Sequence, residues 1–262
     1  MEPDPSNLTS SLIKPNPNPP TKPINNRDFL THLESYLAKR DGIDKLLKIT
    51  RYASKIILSS NTIPTTHPFH QRLKTFESNV GLSRKAFRLG KFIQDVNAFR
   101  SAQLKSPRDI IFATLAYGGE GLYYFVEQIV WLTKSGLIGL SPAHARTMQL
   151  VSAWAELIGY LGSISFKIRD LKNLKKDEEC LVTGIEIRVL RGDGVDVEND
   201  KLKKLREKMR LKWLSLVQDV ADGLMAVADV RDGKGRLSGP LLMASAGMVS
   251  AVISTHKNWL SC

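Results

Sequence analysis

The stretch from Arg72 to Ser101 reads RLKTFESNVGLSRKAFRLGKFIQDVNAFRS, and its pattern determines the fold class that the sequence predicts. Set out at about 100° per residue, its apolar side chains gather along one side of a helix, with a change of phase at Gly81. The stripe after Gly81 consists of apolar residues, namely Leu82, Ala86, Leu89, Phe92, Ile93, Val96 and Phe99. The basic residues stand opposite this stripe or at its edge, namely Arg84, Lys85, Arg88 and Lys91. The sequence therefore predicts an amphipathic helix over residues 82–101.

Such a two-faced helix has two interpretations. As an interfacial helix it sinks its apolar side into a lipid leaflet, while each basic residue near an anionic surface contributes about 1 kcal/mol. As a bundle helix it packs its apolar stripe on neighbouring helices and leaves the basic side in solvent. The pattern alone does not separate the two, so both remain open at this point.

The rest of the chain is also patterned for helices. Apolar residues recur at helical spacing between residues 29 and 57, and from Leu202 to Val227 they follow a 3, 4, 4 spacing that indicates one long helix. The apolar stripe of that helix either packs within the chain or supports self-association. An alternating strand pattern occurs only around residues 181–190, and one short strand cannot form a sheet. We therefore expect an all-α helical bundle.

Two segments are predicted to lie outside the helices. Seven of the twelve prolines fall before Arg27, and a stretch so rich in Pro, Asn and Ser buries too little apolar surface to offset its chain entropy. Residues 1–26 are therefore predicted to be a disordered arm. Residues 169–200 are polar and contain Gly192-Asp193-Gly194, which is typical of a long exposed loop.

The charge balance limits the kinds of binding partner that the sequence predicts. The chain carries 38 Lys and Arg against 26 Asp and Glu, and residues 1–109 alone carry 18 against 9, so the basic character is mainly N-terminal. A basic surface attracts phosphate-bearing partners, which include anionic membrane lipids and nucleic acids. The sequence lacks a zinc-finger, RNA-recognition or basic-zipper signature, so we expect no nucleic-acid partner.

The sequence offers no recognisable catalytic or cofactor motif. Its two cysteines, Cys180 and Cys262, exclude a disulfide framework and a cysteine-based zinc site. His67 and His70 have no nearby carboxylate or cysteine cluster, so we expect no metal site. Gly118-Gly119-Glu120-Gly121 lacks the preceding strand and the following Lys-Ser/Thr that a phosphate loop requires. We therefore expect neither an enzyme nor a cofactor.

Three apolar segments approach the length of a membrane span. Residues 237–255 contain no charge, and at about 1.5 Å per residue they nearly match the ~30 Å hydrocarbon thickness. The other two segments lie in the region 110–168. They are similarly apolar but contain Glu120, Glu127 and Glu156, each of which costs roughly 2.5 to 3.5 kcal/mol if it faces lipid. We therefore predict a span at residues 237–255 and a possible one within 110–168, with buried core helices as the alternative.

Small residues recur at four-residue spacing in two of these segments, namely Ala155, Gly159, Ser163, Gly247 and Ala251. In lipid, this spacing allows two helix backbones to approach closely, which predicts self-association of the chain. In a helical core the same residues serve as tight packing sites.

Several stretches resemble the peroxin-11 family, the peroxisomal membrane protein 11 group. They are RDGIDK at 40–45, RYASK at 51–55, SRKAFRLGKF at 83–92 and WLTKSGL at 131–137. The chain is similar in particular to the plant A-type branch of the family, through AYGGEGLYYF at 116–125, DGL at 222–224 and THKNW at 255–259. The resemblance covers about residues 27–262. It does not include the lysine-bearing tail of several plant relatives, which leaves coat recruitment by that route unsupported.

The resemblance implies an integral or tightly bound protein of the peroxisomal membrane that promotes elongation, proliferation and fission of peroxisomes. In that family an amphipathic helix inserts into the cytosolic leaflet, the protein self-associates, and a dynamin-related GTPase with its membrane adaptor severs the tubule. The matching helix here is residues 83–99. The resemblance therefore implies that the apolar and basic residues named above bind the membrane. It also implies that the basic region 27–109 faces the cytosol.

We expect a membrane-associated helical bundle with an interfacial amphipathic helix, a disordered N-terminal arm, and a long helix followed by a span in residues 201–262. Its expected function is membrane remodelling through helix insertion and self-association. Two alternatives remain. One is a basic helical nucleic-acid-binding module, and the other is a soluble helical scaffold.

Overall fold

The computed structural model of the chain describes residues 28–60, 62–102, 106–235 and 238–262. All regular secondary structure within these ranges is helical, so the predicted all-α class is confirmed. The predicted disordered arm, residues 1–26, lies outside the described residues.

The helices of the described ranges are, in chain order, α1 (Phe29–Ala38), α2 (Arg40–Ser59), α3 (Pro68–Phe87), α4 (Lys91–Ser101), α5 (Pro107–Ala113), α6 (Gly119–Lys134), α7 (Pro142–Arg191), α8 (Asp196–Val230) and α9 (Pro240–Leu260). A π-helical turn, Thr114–Gly118, joins α5 to α6 without a gap, so residues 107–134 form one continuous helical rod.

Six of these helices, α2, α3, α6, α7, α8 and α9, pack into a bundle. The most extensive pairings are α7 with α8, α2 with α9, and α6 with α7. The short helix α1 lies on the end of α9, where Trp259 contacts the rings of Phe29, His32 and Tyr36. Helix α4 lies against α6 on the outside of the bundle.

Helices α6 and α7 approach each other closely because glycines face each other at their contact. A Cβ atom added at Gly119 would lie 2.5 Å from the backbone nitrogen of Gly159, and one at Gly162 would meet the backbone of Ala116. Neither backbone can move aside as a flexible side chain can, so this contact tolerates no added side-chain atom.

The predicted amphipathic helix over residues 82–101 is wrong, because the structure divides it into two helices. Helix α3 runs through Gly81, whose missing side chain leaves room for the guanidinium of Arg51. It ends at Phe87, and Gly90 takes a left-handed conformation with φ of 71° before α4 begins. The phase change that the sequence places at Gly81 therefore does not mark the break, which comes nine residues later at Gly90, where glycine permits the turn.

The predicted loop over residues 169–200 is also wrong, because most of it belongs to α7 and α8. Only residues 192–195 link the two helices, with Gly192 in the left-handed conformation that ends α7. Ion pairs join the two helices along this part, namely Lys212–Asp170, Arg206–Glu178 and Arg188–Glu198. The segment is polar because this outer part of the α7–α8 hairpin is largely surrounded by water.

Within the described ranges, no helix combines the length and apolar character needed to cross a membrane. The structure therefore does not support the spans predicted at residues 237–255 and within 110–168; residues 236 and 237 lie outside the described ranges. Helix α9 buries Ser250 and Ser254 among its small apolar residues, and α6 buries Glu127. These polar groups have a place in the bundle core, which favours the packing alternative.

The small residues expected to drive self-association are occupied within the chain. Gly159 packs on α6, Gly247 packs on the ring of Tyr52, and the Ser163 hydroxyl donates to Asp219 at 2.6 Å. Ala155 and Ala251 are buried. Each of the five therefore serves intramolecular packing, and none presents the open helix surface that association through these residues requires.

We predict that Gly119→Ala lowers the free energy of unfolding by about 1 to 3 kcal/mol, because its methyl group meets the backbone of α7. The matched control is Gly184→Ala in the open part of α7, where nothing lies within 4 Å of an added Cβ. The control should gain up to about 1 kcal/mol from helix propensity. Denaturant unfolding followed by circular dichroism measures both, and equal effects would contradict the close α6–α7 contact.

Candidate functional site

A network of charged side chains occupies the centre of the bundle. The carboxylate of Asp44 on α2 accepts a hydrogen bond from Arg84 Nε at 3.1 Å and lies 3.5 Å from Arg88 Nε. Asp44 is only 1% exposed and Arg84 only 4%. Buried charges of this kind are stable only as pairs, so the network fixes the position of α3 on α2.

Arg88 also reaches across to α6. Its Nη1 lies 3.3 Å from Glu127, whose carboxylate in addition accepts hydrogen bonds from Lys85 at 2.8 Å and from the Tyr123 hydroxyl at 3.0 Å. A single guanidinium therefore bridges the carboxylates of α2 and α6. Because Arg88 directly follows α3, this bridge also fixes where α3 ends.

A second polar cluster joins α2 to α8 and α9. Lys48 donates to Asp222 at 3.0 Å, and the buried Ser250 hydroxyl donates to the same carboxylate at 2.6 Å. Nearby on α8, Asp219 accepts from Ser163 and pairs with Lys167 of α7. The bundle interior is thus held by charged and polar contacts as well as by its apolar core.

The environment shifts the pKa values of these carboxyls in opposite directions. Burial by itself would raise the pKa of Glu127, but the positive charges of Arg88 and Lys85 lower it to about 2. Arg88 and Arg84 likewise hold the pKa of Asp44 well below its usual range against the effect of burial. For Glu156, burial together with the charge of Glu127 outweighs the opposing effect of Arg88 and raises its pKa to about 8.

The predicted basic face does not point outward. Arg84 is buried, and the side chains of Lys85, Arg88 and Lys91 are no more than 22% exposed. The expectation that these four residues face solvent or lipid headgroups is therefore wrong. Their positive charges are needed inside the bundle, where the carboxylates of α2 and α6 lie. Helical spacing shows that the basic residues share a face, but it does not show which partner that face meets.

The predicted apolar stripe is divided between packing and exposure. Phe92 packs edge-on against Phe125 of α6, and Phe99 packs against Tyr117 of the π turn. Leu82 and Ala86 on α3 are half-buried. The other three members of the stripe are more than half exposed, namely Leu89 (53%), Ile93 (53%) and Val96 (52%).

Neighbouring helices expose further large apolar side chains. Those on α7 recur at helical spacing, namely Val151, Trp154, Ile158 and Leu161. Those on the rod that ends in α6 include Leu115, Leu122 and Phe125, and α5 at the start of the rod also exposes Ile110 and Ile111. The sequence shows both sets of apolar residues and predicts possible membrane spans in these segments. It does not show that these side chains remain uncovered after the bundle has formed.

Helix geometry relates these exposed residues to one another. Helix α6 runs antiparallel to α4, as Phe92–Phe125 and Phe99–Tyr117 show, and antiparallel to α7. On α4 and on α7 the exposed stripe lies roughly a quarter-turn around the helix from the side that contacts α6, and from this we infer that both stripes turn to the same side of the molecule. We call this surface the outer apolar face; its members are Leu89, Ile93, Val96, Leu115, Leu122, Phe125, Val151, Trp154, Ile158 and Leu161.

The corner that presents α4 is fixed by hydrogen bonds from other helices. Arg40 Nη1 donates to the carbonyl of Leu89 at 2.7 Å, and Gln128 Nε2 donates to the carbonyl of Arg88 at 3.2 Å. On its inner side α4 buries Asp95, and on its outer side it shows Ile93 and Val96. Helix α4 thus packs Phe92 against α6 and Phe99 against the π turn, and it leaves Ile93 and Val96 exposed beside the polar residues Gln94 and Asn97.

Contiguous apolar surface of this kind on a folded protein marks a membrane contact or a protein interface. In the described part of the chain, no group of three or more metal-binding side chains is positioned to hold an ion. The outer apolar face is therefore the candidate functional site.

We predict that Asp44→Asn lowers the free energy of unfolding by about 3 to 5 kcal/mol, because it leaves two buried guanidinium groups without their shared carboxylate. The matched control is Asp232→Asn, which breaks the exposed pair with Arg146 and should cost at most about 1 kcal/mol. Denaturant unfolding measures both; similar costs for the two variants would contradict the central role of the network.

We predict a pH-dependent gain in stability from Glu156→Gln. The raised pKa of Glu156 means that ionisation favours the unfolded chain, so the protein loses stability as pH rises from the ordinary glutamate pKa toward 8. The difference in the free energy of unfolding between the variant and the wild type should grow by about 1 to 2 kcal/mol over this range. This value is smaller than the full pKa shift would give, because Glu156 lines a water-accessible cavity. Thermal unfolding at several pH values tests this, with Glu186→Gln on the exposed part of α7 as control. Parallel pH profiles for the two variants would contradict it.

Comparison with known proteins places the chain among its relatives. Residues 30–259 match the family described as "Peroxisomal biogenesis factor 11 (PEX11)". The chain is 60% identical to "Peroxisomal membrane protein 11A" of Arabidopsis thaliana over 92% of its own length and 96% of that protein. It is 52% identical to "Peroxisomal membrane protein 11-3" of Oryza sativa subsp. japonica over 90% of its length and 91% of that protein. No solved structure matches the chain.

The family match extends from α1 to α9, and the alignments to both relatives cover nine-tenths or more of each chain. The resemblance to the family and to its plant A-type branch is thus confirmed. The chain belongs to the Peroxisomal biogenesis factor 11 (PEX11) family.

Proposed function

We propose that this chain is a protein of the peroxisomal membrane that remodels the membrane and so promotes elongation, proliferation and fission of peroxisomes. Family membership supports the organelle, and the names of the relatives support the membrane. No catalytic step is part of the proposal. The proposed orientation turns the basic region 27–109 toward the cytosol.

The single observation that carries the proposal is the outer apolar face. Its ten side chains come from the corner before α4, from α4 itself, from the rod of residues 107–134 and from α7, and every one of them is exposed. Burial of one such side chain contributes about 1.5 to 3 kcal/mol, so partial insertion of several of them is enough to hold the protein on a bilayer.

The mechanism that we propose is shallow insertion into one leaflet. A face that enters only the headgroup and upper acyl region expands one leaflet relative to the other, and many copies convert this area difference into curvature. Within the predicted stripe, Leu89, Ile93 and Val96 are free to insert, whereas Phe92 and Phe99 act indirectly by fixing α4 on α6.

The basic residues of α3 have a different role in this proposal from the one that the sequence predicted. Arg84 and Arg88 hold the bundle together instead of contacting headgroups. Attraction to anionic lipids then comes from the overall positive charge of the chain, which is +12. The same inward position removes the basic face that a nucleic-acid-binding module would need.

We also propose self-association and fission partners. Because the small residues of α7 and α9 are occupied, copies would associate in the membrane through exposed apolar side chains such as Trp213 and Val220 of α8. A dynamin-related GTPase and its membrane adaptor, implied by the family resemblance, would then sever the curved membrane.

We predict that the double variant Ile93→Asp/Val96→Asp weakens vesicle association of the full-length protein by about tenfold or more, because two carboxylates replace side chains that enter the leaflet. The matched control is Gln94→Asp, which adds a carboxylate to the same helix at an exposed position outside the apolar face. The measurement is flotation after cell-free synthesis with vesicles of phosphatidylcholine and phosphatidylinositol.

The same variants test the function in cells. Overexpression of the wild type and of Gln94→Asp should increase the number and length of peroxisomes, whereas the double variant should not. If the double variant floats and elongates peroxisomes like the wild type, the outer apolar face is not the membrane contact.

A further inference from the structure

A cavity of about 660 Å³ opens among α2, α3, α6, α7 and α8, on the inner side of the bundle. Binding sites for small molecules and cofactors commonly have volumes of about 300 to 1,000 Å³. The lining of this cavity is unusual because charged side chains and tyrosines dominate it. Seven lysines and arginines line it with five aspartates and glutamates, and two of these cations, Arg84 and Arg51, pair with carboxylates behind the lining, those of Asp44 and Glu77.

The deepest cation of the cavity is incompletely paired. Arg84 is 4% exposed, and its Nε donates to Asp44, but its Nη2 has no hydrogen-bond partner among the described residues. A buried guanidinium N–H group without an acceptor is costly, and structures normally supply one. An oxygen atom of an anion that enters the cavity would satisfy it.

The rim adds a second cation that is not neutralised. Lys134 at the end of α6 lines the cavity and has neither an ion pair nor a hydrogen-bonded acceptor in the part of the chain that the structure describes. Burial, together with the positive charges of Lys85 and Arg51, lowers the pKa of Lys134. The carboxylate of Glu127 acts on Lys134 in the opposite direction.

Three further cations converge on the same space. Lys48, Lys85 and Arg88 line the cavity while they pair with Asp222 and Glu127. Guanidinium and ammonium groups that converge from several helices are the usual recognition elements for phosphate, which accepts several charge-assisted hydrogen bonds at once.

We propose that this cavity binds a phosphate-bearing polyanion, with Arg84 at its base and Lys134 at its rim. Both a phosphorylated lipid headgroup and a free phosphorylated compound carry this chemistry. The proposal goes beyond membrane contact, because none of its groups belongs to the outer apolar face.

The test is calorimetric titration of the purified full-length protein with two soluble probes, inositol trisphosphate and inorganic triphosphate. The lipid arm uses vesicles of phosphatidylcholine with and without a phosphorylated phosphatidylinositol. Tighter binding of inositol trisphosphate, with competition by the phosphorylated vesicles, identifies a lipid headgroup. Tighter binding of triphosphate without such competition identifies a free phosphorylated compound. Either result supports the site.

Three variants locate the binding. Arg84→Lys keeps the charge but removes the unpaired Nη2, and it should weaken probe binding by about tenfold. Lys134→Ala lies on the exposed rim, where loss of folding is not expected, and should weaken it by about threefold. Lys201→Ala, an exposed lysine of α8 outside the cavity, is the matched control and should bind like the wild type.

Circular dichroism and thermal unfolding establish that each variant is folded. Even if Arg84→Lys fails to fold, the comparison of Lys134→Ala with Lys201→Ala decides the question. The proposal is overturned if neither probe binds more tightly than sulfate, or if Lys134→Ala and Lys201→Ala bind equally well.

Discussion

The bridge from Arg88 to both Asp44 and Glu127 is the interaction on which the rest of the structure depends. It joins α2, the end of α3, and α6 at a place where all three charges are largely shielded from water. Because each partner would otherwise be a buried unpaired charge, the three helices have one favourable arrangement. Since Arg88 directly follows α3, the bridge also fixes the corner at Gly90 from which α4 leaves, and with it the position of the exposed Ile93 and Val96.

This arrangement places charge inside and apolar surface outside. Asp44, Arg84, Glu127 and Asp222 are buried, whereas large apolar side chains of α4, α6 and α7 are exposed. In membrane proteins, charged groups likewise face the bundle interior and pair there, while apolar groups face lipid. This distribution of polarity is compatible with the contact that we propose between the outer apolar face and lipid, and with the polar ligand that we propose for the cavity.

Local patterns in the sequence predict the helices but not their environment. The 3, 4, 4 spacing from Leu202 to Val227 correctly predicts the long helix α8. The buried status of Arg84 depends on the carboxylate of Asp44, 40 residues away along the chain, which no local pattern shows. The prediction of a loop at residues 169–200 is wrong because it takes a polar segment for irregular structure. Two helices that pack mainly on each other also have polar sequences. Glu127 is a signal that the sequence does contain, since a carboxylate in the apolar part of a helix requires a cationic partner when it is buried.

The central claim is that the outer apolar face lies against lipid. The most direct measurement is site-directed spin labelling of the full-length protein in vesicles, with its two native cysteines replaced and labels placed one at a time. Labels at Ile93, Leu122 and Ile158 should collide with oxygen, which concentrates in lipid, and should be protected from a water-soluble nickel reagent. Labels at Gln94 and Lys201 should show the reverse. If all five positions are equally accessible to the nickel reagent, the face lies in water and the account is contradicted.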